Sequence, residues 1–334
     1  MRSGGKRWRY ALEWLGLRLA TKIVPLLPRP LCLFAARTLG RLGSILDRRG
    51  RRVGLANLEV AFGPALTAAE RRRILRESYR HFTQSAIDLL WSPRLTAKNF
   101  QNYIEFENFN ETARNSGPER SIIIACFHYS NFEWLSLACG FAGIPGTIIA
   151  EEFKNSRLDP LYRALRQQSG HELIPRERGI VRLYKVLRRK GRTALLVDLT
   201  VPPRQGAVAV DCFGLKTSLT SAHAWLHQQT GAPIIPAHCE PLPGGRYRVI
   251  FHPQIENTAN MTLPQIAQAC WDSFEPYVRK QPGPWLWMYK HWRYQPRQPE
   301  RPYPFYAQSW NAFDRMLAEA KPTDTAPGSV KPAG

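Results

Sequence analysis

Three things are scarce in this sequence, and each scarcity excludes a class of protein. Acidic residues are few: 26 Asp and Glu face 47 Lys and Arg in 334 residues, a formal charge of +21 that calls for an anionic partner. Paired cysteines are missing. Cys32, Cys126, Cys139, Cys212, Cys239 and Cys270 lie far apart with no CxxC spacing, so they read as reduced core residues of a cytosolic protein. Long uncharged runs are missing too: Glu13, Arg18 and Lys22 interrupt residues 7–27 well short of the roughly 18 apolar residues that a spanning helix needs. There is also no GxSxG elbow, phosphate loop, dinucleotide fingerprint or HEXXH pair, which disfavours a serine hydrolase, a nucleotide enzyme and a zinc protease. No metal or cofactor is implied.

What is present is unevenly placed. Residues 1–60 hold thirteen Lys or Arg against Glu13, Asp47 and Glu59. Trp8, Tyr10, Trp14, Leu15, Leu17 and Leu19 alternate with basic residues, which suits a helix lying among lipid headgroups with its cations snorkelling outward. A helix docked on the protein core fits the same pattern. Thr67 with Glu70 has capping-box spacing, and Ile74, Tyr79, Phe82 and Ile87 follow at helical period, so residues 67–92 are predicted to be one helix and residues 1–100 a basic, membrane-associating helical region.

From about residue 103 the pattern changes to short apolar runs separated by helical stretches, at 121–128, 146–151, 193–199, 232–240 and 246–255. This predicts an α/β domain over residues 101–318 with a mixed, mostly parallel central sheet flanked by helices. Sites in such folds form beyond the carboxyl ends of strands. Residues 319–334, rich in Pro, Gly, Ser and Thr, are predicted to be a disordered tail.

The informative segment is SIIIACFHYSNFEWL, in which a strand ends at His128, a polar turn follows and an apolar helix opens with Glu133. Asn131 or Ser130 caps that helix, and a carboxylate in its first turn stays ionised. If Glu133 accepts a hydrogen bond from one ring nitrogen of His128, the other nitrogen is free to take a proton from an attacking hydroxyl. A satisfied core histidine beside a capping glutamate fits the same residues. His223 and His227 share a helical face at i and i+4, a spacing commoner on helix surfaces than in zinc sites.

His128 followed by four residues and Glu133 resembles the HX4(D/E) motif of the glycerolipid acyltransferase superfamily. More closely, the chain resembles the lipid A biosynthesis (late) acyltransferases, from roughly residue 28 to 293. LDRRGRRVGLANLEVAFG, HYSNFEWL, KNSRLDPLYRALR, LIPRERGIVRLYKVLRRKG, TALLVDL, VDCFG, QQTGAPIIPAH and PWLWMYKHWR are similar to that family's successive phrases. The resemblance implies that His128 is a general base with Glu133 as its partner and that Asp198 is part of the active-site wall. Arg176 then meets an anionic substrate group or the developing oxyanion, and Asn131 is a candidate substrate-binding residue with Arg176 and Asp198.

It also implies transfer of a fatty acyl chain from acyl carrier protein or acyl-CoA to a hydroxyl of a lipid A precursor or related glycolipid. The protein would be peripheral or monotopic on the cytoplasmic side of a bacterial inner membrane, bound to its anionic surface, with no nucleic acid partner. Three positions depart from the family pattern. The D-Q-D strand end reads Asp198, Leu199, Thr200, an expected arginine is Glu151 or Glu152, and an expected proline is Ser156. These positions would lie near the acceptor headgroup, so a lysophospholipid, an aminolipid or another glycolipid is an alternative acceptor. A non-catalytic basic protein that binds membrane or nucleic acid is the alternative of another class.

Overall fold

The structure is a computed structural model and describes residues 2–109 and 120–319. Four helices come first: α1 (Arg2–Ile23), α2 (Arg29–Leu46), α3 (Arg48–Phe62) and α4 (Ala68–Trp91). The predicted capping box opens α4, with the Thr67 N–H donating to Glu70 at 2.8 Å and the Glu70 N–H to Thr67 at 3.2 Å. Helices α2 and α4 cross closely at Gly40, where an added Cβ would meet the Arg80 backbone at 2.7 Å.

The seven-stranded sheet has the order β1-β9-β8-β2-β5-β3-β4. Its strands are β1 (Ile104–Glu107), β2 (Ile122–Cys126), β3 (Thr147–Ala150), β4 (Glu172–Pro175), β5 (Arg192–Leu196), β8 (Ile234–Leu242) and β9 (Arg246–Phe251). Strands β8, β2, β5, β3 and β4 run parallel, while β9 is antiparallel to β8 and β1 parallel to β9. The sheet is therefore mixed and mostly parallel, as the run pattern predicts. A separate antiparallel hairpin joins β6 (Ala207–Cys212) and β7 (Leu215–Thr220). Sequence reading missed β1, β4 and this hairpin, because four-residue strands and the polar LKTSLT carry too little periodicity to stand out.

Strand β2 is buried at every residue and sends alternate side chains to two cores. Ile123 and Ala125 join one side with Leu183, Leu187, Ala224, Ile266 and Trp271, whereas Ile122, Ile124 and Cys126 join the other with Trp91, Trp134, Leu135 and Ala138. The helices that supply the first side are α7 (Gly179–Arg188), α8 (Ala222–Thr230) and α9 (Leu263–Lys280), and the second side draws on α4 and α5 (Phe132–Phe141). Helix α6 (Asp159–Gln167) links β3 to β4, and α10 (Asn311–Glu319) closes the described chain. The predicted tail lies outside the described residues apart from Glu319. All six cysteines are free and buried.

Four buried histidines make the fold acid-sensitive. Burial pushes His81 and His252 down to about 3 and His223 and His291 to about 4. These values lie below the unfolded value of about 6.5, so below that pH the unfolded chain binds more protons and stability is lost as pH falls toward the folded values. Each histidine adds a slope of up to about 1.4 kcal/mol per pH unit. Urea unfolding should therefore show a lower midpoint at pH 5 than at pH 7.5; an unchanged midpoint would contradict this.

Candidate active site

Parallel register builds the site. Cys126 pairs with Leu196, so the residues two positions beyond each strand end, His128 and Asp198, stand level on adjacent strands. His128 is held by anchored neighbours. Phe127 stacks on Phe274 at 3.9 Å, and the Tyr129 hydroxyl donates to the Gln281 carbonyl at 2.6 Å. Ser130 adopts a left-handed φ of 50°, with its N–H donating to Pro284 at 3.0 Å and its carbonyl accepting from Ser85 at 2.7 Å. That strained turn carries the chain from the strand end into α5.

The carboxylate on the imidazole is Asp198. Its Oδ1 lies 2.7 Å from His128 Nδ1, while its Oδ2 accepts from the His128 backbone N–H at 3.0 Å and from Trp285 Nε1 at 3.0 Å. Burial pushes the Asp198 carboxyl up, but the His128 imidazole and the hydrogen bonds from His128 and Trp285 outweigh it and hold the group below the usual carboxylate value. An ionised carboxylate only accepts, so Nδ1 carries a proton, and in the neutral ring Nε2 is the nitrogen with the bare lone pair. The His128 side chain is 12% exposed, against 0% for Asp198.

Glu133, expected to hold the imidazole, turns elsewhere. Arg166 of α6 grips it with two bonds, Nε to Oε2 at 2.9 Å and Nη2 to Oε1 at 2.5 Å. The reason is helical geometry. Phe132 opens α5 with its ring 4.8 Å from the His128 ring, and the next residue points about 100° away around the helix. Arg166 borders a shallow, solvent-open depression lined also by Glu151, Glu152, Phe153 and Tyr162.

Asn131 is fully buried with both ends of its amide occupied within the protein. Its Oδ1 caps α5 by accepting from the Trp134 N–H at 3.0 Å, and its Nδ2 donates to Asp88 at 2.8 Å. It shapes the turn and presents no free polar atom to a substrate. Arg176 follows β4 and pairs with Glu151 at 3.0 Å, both side chains being exposed. Three strand spacings of about 4.8 Å separate β4 from β2, which places Arg176 at the same sheet edge but away from the imidazole. Thr200, at the departed D-Q-D position, is buried and bonds the His291 carbonyl, as does Thr217.

Several contributors gave no local signal in sequence. Asp88 was the most findable, a lone acid within the apolar AIDLLW stretch. In the structure it receives Arg29 in a two-pronged ion pair, the Tyr247 hydroxyl at 2.5 Å and Asn131. Among the described residues His223 is buried without a hydrogen-bond partner, and His227 reaches the Ala232 carbonyl at 2.7 Å and Thr258 at 2.8 Å.

A family model described as bacterial lipid A biosynthesis acyltransferase matches residues 6–294. The chain is also similar to a phosphatidylinositol mannoside acyltransferase of Mycolicibacterium smegmatis, with 27% identity over 183 residues, 52% of this chain and 57% of that protein. A protein of the same description from Mycobacterium tuberculosis is 29% identical over 152 residues, 44% of this chain and 46% of that one. The matched segment thus spans about half the length of each relative. With a family match that runs through every strand of the main sheet and both members of the His128–Asp198 pair, the chain belongs to the bacterial lipid A biosynthesis acyltransferase family.

Proposed function

We propose that this chain transfers a fatty acyl group from a thioester to a hydroxyl of a membrane lipid or glycolipid, with His128 as general base and Asp198 as the group that orients it. The observation that carries the reading is the 2.7 Å contact between His128 Nδ1 and Asp198 Oδ1, which leaves Nε2 free to accept a proton. The acceptor hydroxyl loses its proton to Nε2 as its oxygen bonds the thioester carbonyl carbon. The tetrahedral intermediate then expels the thiolate by breaking the carbon–sulfur bond, and the proton on Nε2 passes to the departing sulfur. Glu133 acts by fixing Arg166 at the lip of the neighbouring depression, where the guanidinium faces an acceptor headgroup together with Arg176.

The donor is acyl carrier protein or acyl-CoA, and the acceptor is a lipid A precursor, a phosphatidylinositol mannoside like that in the relatives' names, or another lysolipid or glycolipid. The enzyme works on the cytoplasmic face of an inner membrane. Supporting this, Trp8, Leu12, Leu15, Leu19 and Ile23 recur every three or four residues along α1 and are all exposed, Trp8 by 75%. Leu31, Phe34, Leu42 and Ile45 continue an exposed apolar face on α2, flanked by Arg37 and Arg41. Among the described residues no helix is long and apolar enough to cross a membrane. An apolar stripe with flanking cations matches an anionic lipid surface.

One experiment tests both parts. Phosphatidylglycerol-containing vesicles carrying each candidate acceptor are incubated with protein and labelled thioester, then floated. Protein should float with the vesicles, and one acceptor should gain label. Trp8→Glu with Phe34→Glu should reduce flotation at least tenfold. Protein that stays behind, or label in no acceptor, would sink the corresponding half.

A further inference from the structure

We infer that Arg49, Lys290 and Arg293 form a phosphate-binding site at the mouth of the His128 site, an inference that rests on the acyl-transfer reading for its substrates but not for its existence. The first support is how the three are brought together. Asn57 of α3 donates to the Trp287 and Tyr289 carbonyls at 2.8 and 2.7 Å and receives the Tyr306 hydroxyl. Those bonds clamp residues 287–293 against α3, whose first turn carries Arg49.

The second support is that the cluster lacks a counter-charge. Elsewhere Arg246 and Arg248 share Glu105, and Arg166 pairs with Glu133. Arg49, Lys290 and Arg293 make no ion pair among the described residues. Lys290 instead lies 5.2 Å from the Tyr306 ring and Arg293 5.8 Å from the Tyr289 ring. Partial burial, with Arg49 and Arg293 close by, pushes the Lys290 ammonium below its ordinary value. Like charges gathered without a partner are a standing cost that a bound anion relieves. Two guanidinium forks beside one ammonium suit the several oxygens and double charge of a phosphate.

The third support is position. The Tyr289 hydroxyl donates to the Thr200 carbonyl at 3.0 Å, two residues beyond Asp198. His291 stacks on Trp285 at 3.9 Å, and Trp285 holds Asp198. His291, which lies between Lys290 and Arg293 in sequence, is thus one ring contact from the residue that holds the partner of the base. Both classes of reactant carry phosphate, the donor in its phosphopantetheine arm and the acceptor in its headgroup.

The test begins with inorganic pyrophosphate titrated calorimetrically into the full chain. Wild type should bind it, Lys290→Ala/Arg293→Ala should bind at least tenfold more weakly, and the charge-preserving Lys290→Arg should retain binding. Equal affinity in wild type and double variant, or no binding by folded wild type, overturns the site. A kinetic arm then assigns the source, by comparing palmitoyl-CoA with phosphate-free palmitoyl-N-acetylcysteamine as donor, and phosphorylated with phosphate-free acceptors. A rise in KM confined to the phosphorylated donor assigns the thioester arm, and one confined to the phosphorylated acceptor assigns the headgroup. A fall in kcat with every KM unchanged overturns the assignment to substrate binding. Wild type that binds pyrophosphate but transfers no acyl group would count against the acyl-transfer reading alone.

Discussion

Asp198→Asn should lower the rate of acyl transfer by roughly 1,000- to 10,000-fold without unfolding the protein. The size follows from the hydrogen bonds the carboxylate accepts. Oδ2 faces two fixed donors, the His128 backbone N–H and Trp285 Nε1, each at 3.0 Å, and Oδ1 faces the ring nitrogen. An amide must keep its oxygen toward the two N–H groups, because the other orientation would set its NH2 against both. Its NH2 then faces His128 Nδ1, which must become an acceptor, so the ring proton moves to Nε2. The base is lost by inversion of the tautomer rather than by loss of the ring. Nitrogen NMR of labelled protein should find the proton on Nδ1 in wild type and on Nε2 in the variant. Glu133→Gln keeps the imidazole pairing and should cost far less. A variant Asp198→Asn with near wild-type rate would contradict this assignment.

Asp88→Ala should destabilise the fold by about 3–5 kcal/mol, the usual consequence of leaving one member of a buried pair alone. Asp88 has 1% of its side chain exposed and Arg29 has 11%, so truncating the acid strands a guanidinium with little access to water. Arg29 also lies 4.7 Å from the Trp134 ring centroid, packed where it cannot swing out freely. The same loss removes the acceptor of the Asn131 amide and the Tyr247 hydroxyl, which loosens the cap of α5 beside His128. Replacing both charges, Arg29→Met with Asp88→Leu, should recover much of the stability, since a well-packed apolar pair avoids the desolvation cost. Denaturant titration of the single and double variants measures this. Equal stability of Asp88→Ala and wild type would remove the network from the account.

Much of the architecture was legible because its signals are local. The apolar runs at 121–128 and 232–240 became β2 and β8, and the Thr67–Glu70 spacing became a formed capping box. His128 at a strand's carboxyl end was legible for the same reason. Its partner was not, because proximity in sequence favoured Glu133, five residues on, whereas the register of β2 and β5 delivers Asp198 from 70 residues away. Pairing between strands is a non-local fact that no window of residues contains. The cap of α5 was legible only as Asn131 or Ser130, and the second bond of Asn131 depends on Asp88 of α4, again supplied by tertiary packing. The departures at Glu151 and Thr200 were visible, and the structure gives them separate settings, an exposed ion pair and a buried hydroxyl on the His291 carbonyl.

Activation of a lipid hydroxyl by His128 against a thioester is decided by single-turnover transfer of labelled acyl groups into vesicle lipid by wild type and His128→Ala. Label in lipid and released thiol should appear in equal amounts with wild type, and neither with the folded, vesicle-bound variant. Transfer by His128→Ala at a rate close to wild type would contradict it.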